Sequence, residues 1–170
     1  MGETGLEAAS IRQAEAISGF AKSELFDRTF HEGMSLVEET AAYLDGAGRQ
    51  DSKLLSRSAA LAYASESMRL TTRLMQVASW LLVQRAVREG DMAPESALDA
   101  SYRLGADAEE DHPAPSEPLP PTLAELVGRS ERLFERVRHL DSRMYATGVT
   151  EPEPHPVLSQ LERLKDAFEA

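Results

Sequence analysis

Histidines with neighbouring carboxylates are the first candidates in this chain for a metal site or for acid–base catalysis. Asp27 precedes His31 by four positions and Glu135 precedes His139 by four, so each pair shares one face of a helix. Two such pairs facing each other could hold a metal ion. Di-iron helical bundles, however, use Glu-x-x-His at a spacing of three together with further glutamates. Surface ion pairs account for the spacing seen here, and we expect no metal and no cofactor.

Signatures of covalent catalysis are missing from the sequence. The chain has no cysteine, which excludes disulfides, thiolate nucleophiles and cysteine-ligated zinc. It also has no G-x-S-x-G motif, no S-x-x-K motif and no glycine-rich phosphate loop. Carboxylates are plentiful, but none falls within an apolar seam where burial would prepare it for acid–base work. The sequence therefore predicts a protein that is not an enzyme.

The composition limits which classes of partner the chain is expected to bind. With 29 acidic residues against 18 lysines and arginines, the 170-residue chain has a formal charge of −11, which disfavours nucleic acid. Its length suits one domain, with a core built on Leu, Val, Met and Ala because aromatics make up only 6%. The N-terminus has no secretory pattern, and the lack of cysteine fits a reducing compartment. We therefore expect a cytoplasmic protein.

Apolar residues recur at helical spacing, and no strand pattern is present. The predicted fold is all-α: a three-helix bundle over residues 23–147 with one long central helix. The predicted helices cover about 23–46, 51–90 and 122–147. In the first, the apolar stripe consists of Phe26, Phe30, Val37, Ala41 and Leu44, with Met34 beside it. In the third, it consists of Leu126, Ser130, Leu133, Val137, Leu140 and Met144.

Three further segments are predicted to lie outside the bundle. Residues 1–22 read as a flexible N-terminal segment. Residues 91–121 form an acidic, proline-rich linker, with a candidate short helix over 94–104. Residues 148–170 read as a flexible tail with a short amphipathic helix. Its apolar residues are Leu158, Leu161, Leu164 and Phe168.

The central helix contains the densest apolar run and the only tryptophan. The run is too short for a bilayer, which takes about 20 apolar residues, and Arg73 and Arg85 bound it, so we expect no membrane insertion. A helical projection places one apolar arc against the other helices. Its members are Leu70, Leu74, Met75, Val77, Ala78, Leu81, Leu82 and Ala86, with Ala60, Tyr63, Ala64 and Met68 upstream.

Trp80, Val83 and Val87 project to the opposite side of this helix. The 94–104 segment or the tail could cover that side, or a second copy of the chain, or another protein. Tryptophan is enriched among interface hot spots, so a homodimer is the favoured interpretation. The predicted partner-binding residues are Trp80, Val83, Val87 and Gln76.

Two stretches carry a resemblance to a known family. The runs ASESMRLTTRLMQVASWLLVQRAVREG (64–90) and FDRTFHEGMSLVEETAAYL (26–44) resemble the RcdA family, alphaproteobacterial regulators of CtrA degradation. LFERVRHLDSRMY (133–145) agrees more loosely. The resemblance implies a dimeric three-helix bundle that acts as an adaptor for the ClpXP protease.

Within that family, adaptors help deliver cell-cycle regulators together with a response-regulator adaptor and a cyclic-di-GMP-binding partner. The partners implied for this chain are the protease or a protease-bound adaptor, and protein cargo such as a response regulator, with recruitment to a cell pole as a further expectation. The alternative is a structural or signalling homodimer without protease involvement. A metal- or ligand-binding bundle enzyme is the distant third.

Overall fold

The computed structural model describes residues 3–105 and 113–146, and every regular element in these ranges is helical. The all-α fold class is confirmed for this part of the chain. The helices are α1 (Glu3–Ala21), α2 (Glu24–Asp45), α3 (Ala47–Lys53), α4 (Arg57–Glu89) and α5 (Pro121–Ala146). Two short 3-10 turns, Ser96–Leu98 and Ala100–Tyr102, lie between α4 and α5. The predicted tail, 148–170, lies outside the described residues.

Local capping explains where the helices begin and end. Ser23 and Ser56 adopt extended backbone and accept hydrogen bonds from the N–H groups three residues on, which is the usual N-cap geometry. Gly90, at φ 80°, ends α4 in the left-handed conformation that glycine adopts without strain. The helix expected over 51–90 is therefore interrupted. Ser56 starts a new helix, and exposed Leu54 has no packing that would carry α3 onward.

The N-terminal segment differs most from the expectation of a flexible 1–22. Residues from Glu3 onward form α1, and its apolar positions Ala14, Ile17 and Ala21 are buried at helical spacing. Three small or medium side chains make a weak amphipathic signal in a polar sequence. Burial against α4 supplies the stability that this sequence lacks on its own. The chain thus packs four long helices where three were predicted.

The core lies around α4, which contacts α1, α2 and α5. Leu70, Leu74, Val77 and Leu81 are buried there, as the projection predicted. At the crossing with α2, a Cβ added to Gly33 would lie 2.7 Å from Leu81 Cδ1. A glycine in mid-helix costs about 1 kcal/mol relative to alanine, so its presence here reflects close packing of the two helices.

The stripes on the flanking helices agree with expectation in one case and not in the other. In α5 the predicted seam is buried, with Leu140 half-buried. In α2 the buried stripe is displaced toward small and polar residues: Phe26, Thr29, Gly33, Leu36, Thr40 and Tyr43. Phe30, Val37 and Leu44 are half-buried, and Ala41 is exposed. Thr29 Oγ1 donates to the Leu25 carbonyl at 2.8 Å, so its polar group is satisfied inside the helix.

Candidate interaction surface

Trp80, the predicted partner anchor, lies inside the chain with 2% of its surface exposed. Its ring packs against Phe20 of α1 at a centroid distance of 5.6 Å, and its Nε1 donates to Asp141 Oδ1 of α5 at 2.9 Å. Val87 is buried as well. The favoured prediction that a second copy covers these two residues is corrected, because both are buried within one chain.

Asp141 of α5 connects the segment after α4 to the bundle through hydrogen bonds. The residue is 2% exposed, and its carboxylate accepts from Trp80, from Arg103 Nη2 at 3.3 Å and from the Leu104 backbone N–H at 3.3 Å. Burying a carboxylate is costly unless it is hydrogen-bonded and paired, and here both conditions are met. One acidic side chain of α5 therefore holds both the core tryptophan and the 103–104 backbone.

Tyr145 adds a second tie between α5 and the linker. Its hydroxyl donates to the Ala97 carbonyl at 2.5 Å, and the Arg103 guanidinium lies over its ring at 4.6 Å from the centroid. Burial, reinforced by the charge of Asp141, raises the pKa of Tyr145 to about 12. The expected helix over 94–104 is therefore two 3-10 turns, pinned to the bundle by side chains of α5.

A groove of about 430 Å³ remains open between α4 and residues 101–105. Gln76 and Val83, the other two predicted partner-binding residues, are half-buried at its walls, and Trp80 contributes to its lining. The full lining is Thr72, Met75, Gln76, Ser79, Trp80, Val83, Ser101, Tyr102, Arg103, Leu104 and Gly105. Arg103 is the one charged residue among these eleven described residues, and none of them is acidic.

Beside this groove, α4 exposes an apolar stripe, of which Met68, Met75 and Leu82 were predicted to belong to the buried arc. Leu61, Met68, Met75 and Leu82 are 68, 72, 65 and 52% exposed, and each lies seven residues from the next. The predicted arc was wider than the surface that α2 and α5 cover, so its edge remains exposed. We call this stripe the α4 face.

The α4 face is also uncharged. Between Leu61 and Leu82, every exposed residue of α4 is apolar or neutral polar. Scattered exposed leucines are ordinary, but a contiguous neutral stripe on a chain of this charge is typical of an interaction surface. Methionines at its centre suit a surface that adapts to its partner. The seven-residue spacing was the signal in the sequence that could have indicated it.

The acid–histidine pairs form no metal centre in the structure. Asp27 pairs with Arg88 of α4, and Glu135 pairs with Arg138. Within residues 3–105 and 113–146, no group of three or more histidine, aspartate or glutamate side chains is arranged to hold a metal ion. In the same ranges no helix combines the length and the apolar character needed to cross a membrane.

Comparison with known proteins places these features in a family. The family model described as a protein of unknown function, DUF1465, matches residues 17–168. The crystal structure of RcdA from Caulobacter crescentus CB15 is 68% identical in sequence, with a TM-score of 0.64. The match covers 76% of this chain and 98% of that chain. No curated protein matches the chain.

Proposed function

Because the chain belongs to the RcdA family, we propose that it is a non-enzymatic adaptor that helps deliver cell-cycle regulatory proteins to the ClpXP protease. The observation that carries the proposal is the α4 face. A neutral stripe that runs over six turns of helix suits the binding of another protein and offers no arrangement for chemistry.

The mechanism we propose is tethering. One surface of the adaptor holds a protease-bound component and another holds the cargo, such as a response regulator. Joining two binding events in one assembly raises the effective concentration of cargo at the protease to about the millimolar range. No new contact between cargo and protease is then needed. The chain would act in the cytoplasm, with recruitment to a cell pole placing it near its cargo.

We assign the α4 face to a second copy of the chain. Leu61, Met68, Met75 and Leu82 repeat every seven residues, which is the spacing by which one helix packs along another. Small residues between them, such as Ala64 and Ser65, allow a close approach. In the dimer this stripe would be buried, and the half-exposed groove residues Gln76 and Val83 would lie at its margin.

A degradation assay tests the adaptor function. Purified ClpXP, its priming adaptor and a cell-cycle response regulator are incubated with and without the chain, and the turnover of the regulator is followed. We expect faster turnover with the chain present. Unchanged turnover would overturn the adaptor proposal. A chain that dimerises without altering turnover would be a structural or signalling module.

A charged variant tests whether the acceleration seen in the degradation assay depends on the α4 face. Met68→Glu with Met75→Glu puts two carboxylates on the α4 face, and we expect the acceleration to be lost. The matched control, Ile11→Glu with Leu25→Glu, changes two exposed apolar residues of α1 and α2 in the same way. The control should keep the wild-type acceleration. Equal acceleration by both variants would show that delivery uses another surface.

A further inference from the structure

The groove between α4 and residues 101–105 is open beside the point where the described part of α5 ends. Arg103, which lines the groove, stacks over Tyr145, next to the last residue of α5. We propose that the chain's own C-terminal segment, residues 158–168, packs into this groove. The inference is independent of the protease role, because it concerns contacts within one molecule.

The length of chain beyond α5 permits the contact. Residues 147–157 are eleven residues, which reach up to about 36 Å at about 3.3 Å per residue. The α4 wall of the groove runs from Thr72 to Val83, about 17 Å at about 1.5 Å per residue. The segment 158–168, as a helix, would be about 16 Å long. The connection is long enough, and the segment matches the wall.

The apolar pattern of the segment fits the lining. Leu158, Leu161, Leu164 and Phe168 recur at steps of three and four, so a helix would present them on one side. The groove offers Met75, Val83 and Leu104 as its apolar surface, with Trp80 below. Packing these surfaces together removes both from water, which stabilises the contact by about 25 cal/mol per Å² of apolar area.

The charges of the segment and of the groove permit the same pairing. Residues 158–168 carry the carboxylates Glu162 and Asp166 together with two basic residues, and Arg103 is the one charged residue among the described lining residues. Arg103 at the groove is 44% exposed at its side chain even while it pairs with Asp141. A carboxylate of the C-terminal segment that lies beside Arg103 therefore meets a positive side chain, and none of the described lining residues is acidic.

A contact within one chain needs little intrinsic affinity. The covalent connection gives the segment an effective concentration of about a millimolar at the groove. Met75 belongs both to the groove and to the α4 face, so the packed segment would share a border with the partner surface. Binding of a partner along the α4 face and binding of the segment would then influence each other.

The absence of native cysteine allows a clean test in the full-length chain. Ala167→Cys is labelled with bimane, whose fluorescence tryptophan quenches at close range, and Trp80 is the only tryptophan. The same labelled chain with Trp80→Phe gives the unquenched reference. A segment that is packed in most molecules lowers bimane emission about two-fold or more relative to that reference.

Two further variants test the apolar contact. Leu161→Glu with Leu164→Glu should restore the reference emission, and Ser159→Glu with Gln160→Glu, which adds the same charge elsewhere, should remain quenched. Mixing labelled Trp80→Phe chains with unlabelled wild-type chains tests a contact between molecules. Three outcomes would each overturn the proposal. The first is equal emission with and without Trp80. The others are quenching that survives Leu161→Glu with Leu164→Glu, and quenching seen only on mixing.

Discussion

Trp80 and Asp141 form a buried hydrogen bond between α4 and α5, with the indole Nε1 2.9 Å from Oδ1. Both residues are 2% exposed. The same carboxylate accepts from Arg103 and from the Leu104 backbone. The bond therefore joins the centre of the core to the segment that forms one wall of the groove.

Replacing Asp141 with alanine should lower the free energy of unfolding by about 2–3 kcal/mol, because the indole N–H loses its acceptor inside the core. Urea unfolding followed by the fluorescence of Trp80 measures this. Asp91→Ala, at an exposed position after α4, serves as the control and should stay within about 0.5 kcal/mol of wild type. Equal stability of the two variants would contradict the role of the buried bond.

Ile17 tests whether α1 belongs to the folded unit. Its side chain is fully buried, so Ile17→Ala should lower the free energy of unfolding by about 2–4 kcal/mol through lost burial and a residual cavity. Ile11, on the same helix, is largely exposed, and Ile11→Ala should change little. If the two substitutions had equal, small effects in urea unfolding, α1 would not be packed against α4 in solution.

Substitution by alanine should change the stability in opposite directions at Gly33 and at Gly19. Gly33→Ala should destabilise by about 1–2 kcal/mol, because the gain in helix propensity is outweighed by overpacking against fully buried Leu81. Apart from its own helix backbone, no described atom lies within 4 Å of a Cβ added to Gly19, so Gly19→Ala should stabilise by about 0.5–1 kcal/mol. Thermal unfolding of both variants gives the two signs. A gain at Gly33 would show that α2 and α4 are not in close contact there.

The raised pKa of Tyr145 predicts that the protein loses stability at alkaline pH. Its pKa is about 12 in the folded chain and about 10 when unfolded, so its contribution is complete below pH 10 and is lost as the pH rises toward 12. Tyr145→Phe removes that contribution. The difference in free energy of unfolding between wild type and Tyr145→Phe should therefore shrink between pH 10 and 12, measured by urea unfolding at fixed pH values. A difference that stays constant across this window would contradict the burial of this hydroxyl.

The α4 face predicts the oligomeric state. Met68→Glu with Met75→Glu should convert a dimer into a monomer, because like charges would lie opposite each other across the two-fold contact. Light scattering measures the mass of the particle in solution. The free energy of unfolding of the monomer, measured with urea, should change little because both side chains are exposed. Leu25→Glu should leave the mass unchanged. A dimer that survives the double substitution uses a different surface.

Much of the fold could be predicted from local patterns. The positions of α2 and α5 and the end of α4 follow from apolar spacing, with Ser23 capping α2 and Gly90 ending α4. The buried arc from Leu70 to Leu81 follows from the 3.6-residue period. α1 could not be predicted in this way, because Ala14, Ile17 and Ala21 form a helix that is stabilised by its neighbours.

The predicted partner-binding residues lie in α4, but Trp80 and Val87 are on a side of that helix that other elements cover. A projection gives the angles of Trp80 and Met75, yet it cannot tell which angles other elements will cover. That depends on Phe20, which precedes Trp80 by sixty residues, and on Asp141, which follows it by sixty-one. Long-range contacts of this kind decide that the tryptophan is core and the methionine is surface.

The exact seven-residue spacing on the α4 face constrains the shape of whatever binds it. An α-helix has 3.6 residues per turn, so positions seven apart shift by about 20° with each repeat, and Leu82 is displaced by about 60° from Leu61. A straight partner helix laid parallel to α4 could follow this line for only part of its length. Contact with all four side chains requires a partner that winds around α4 in a left-handed supercoil.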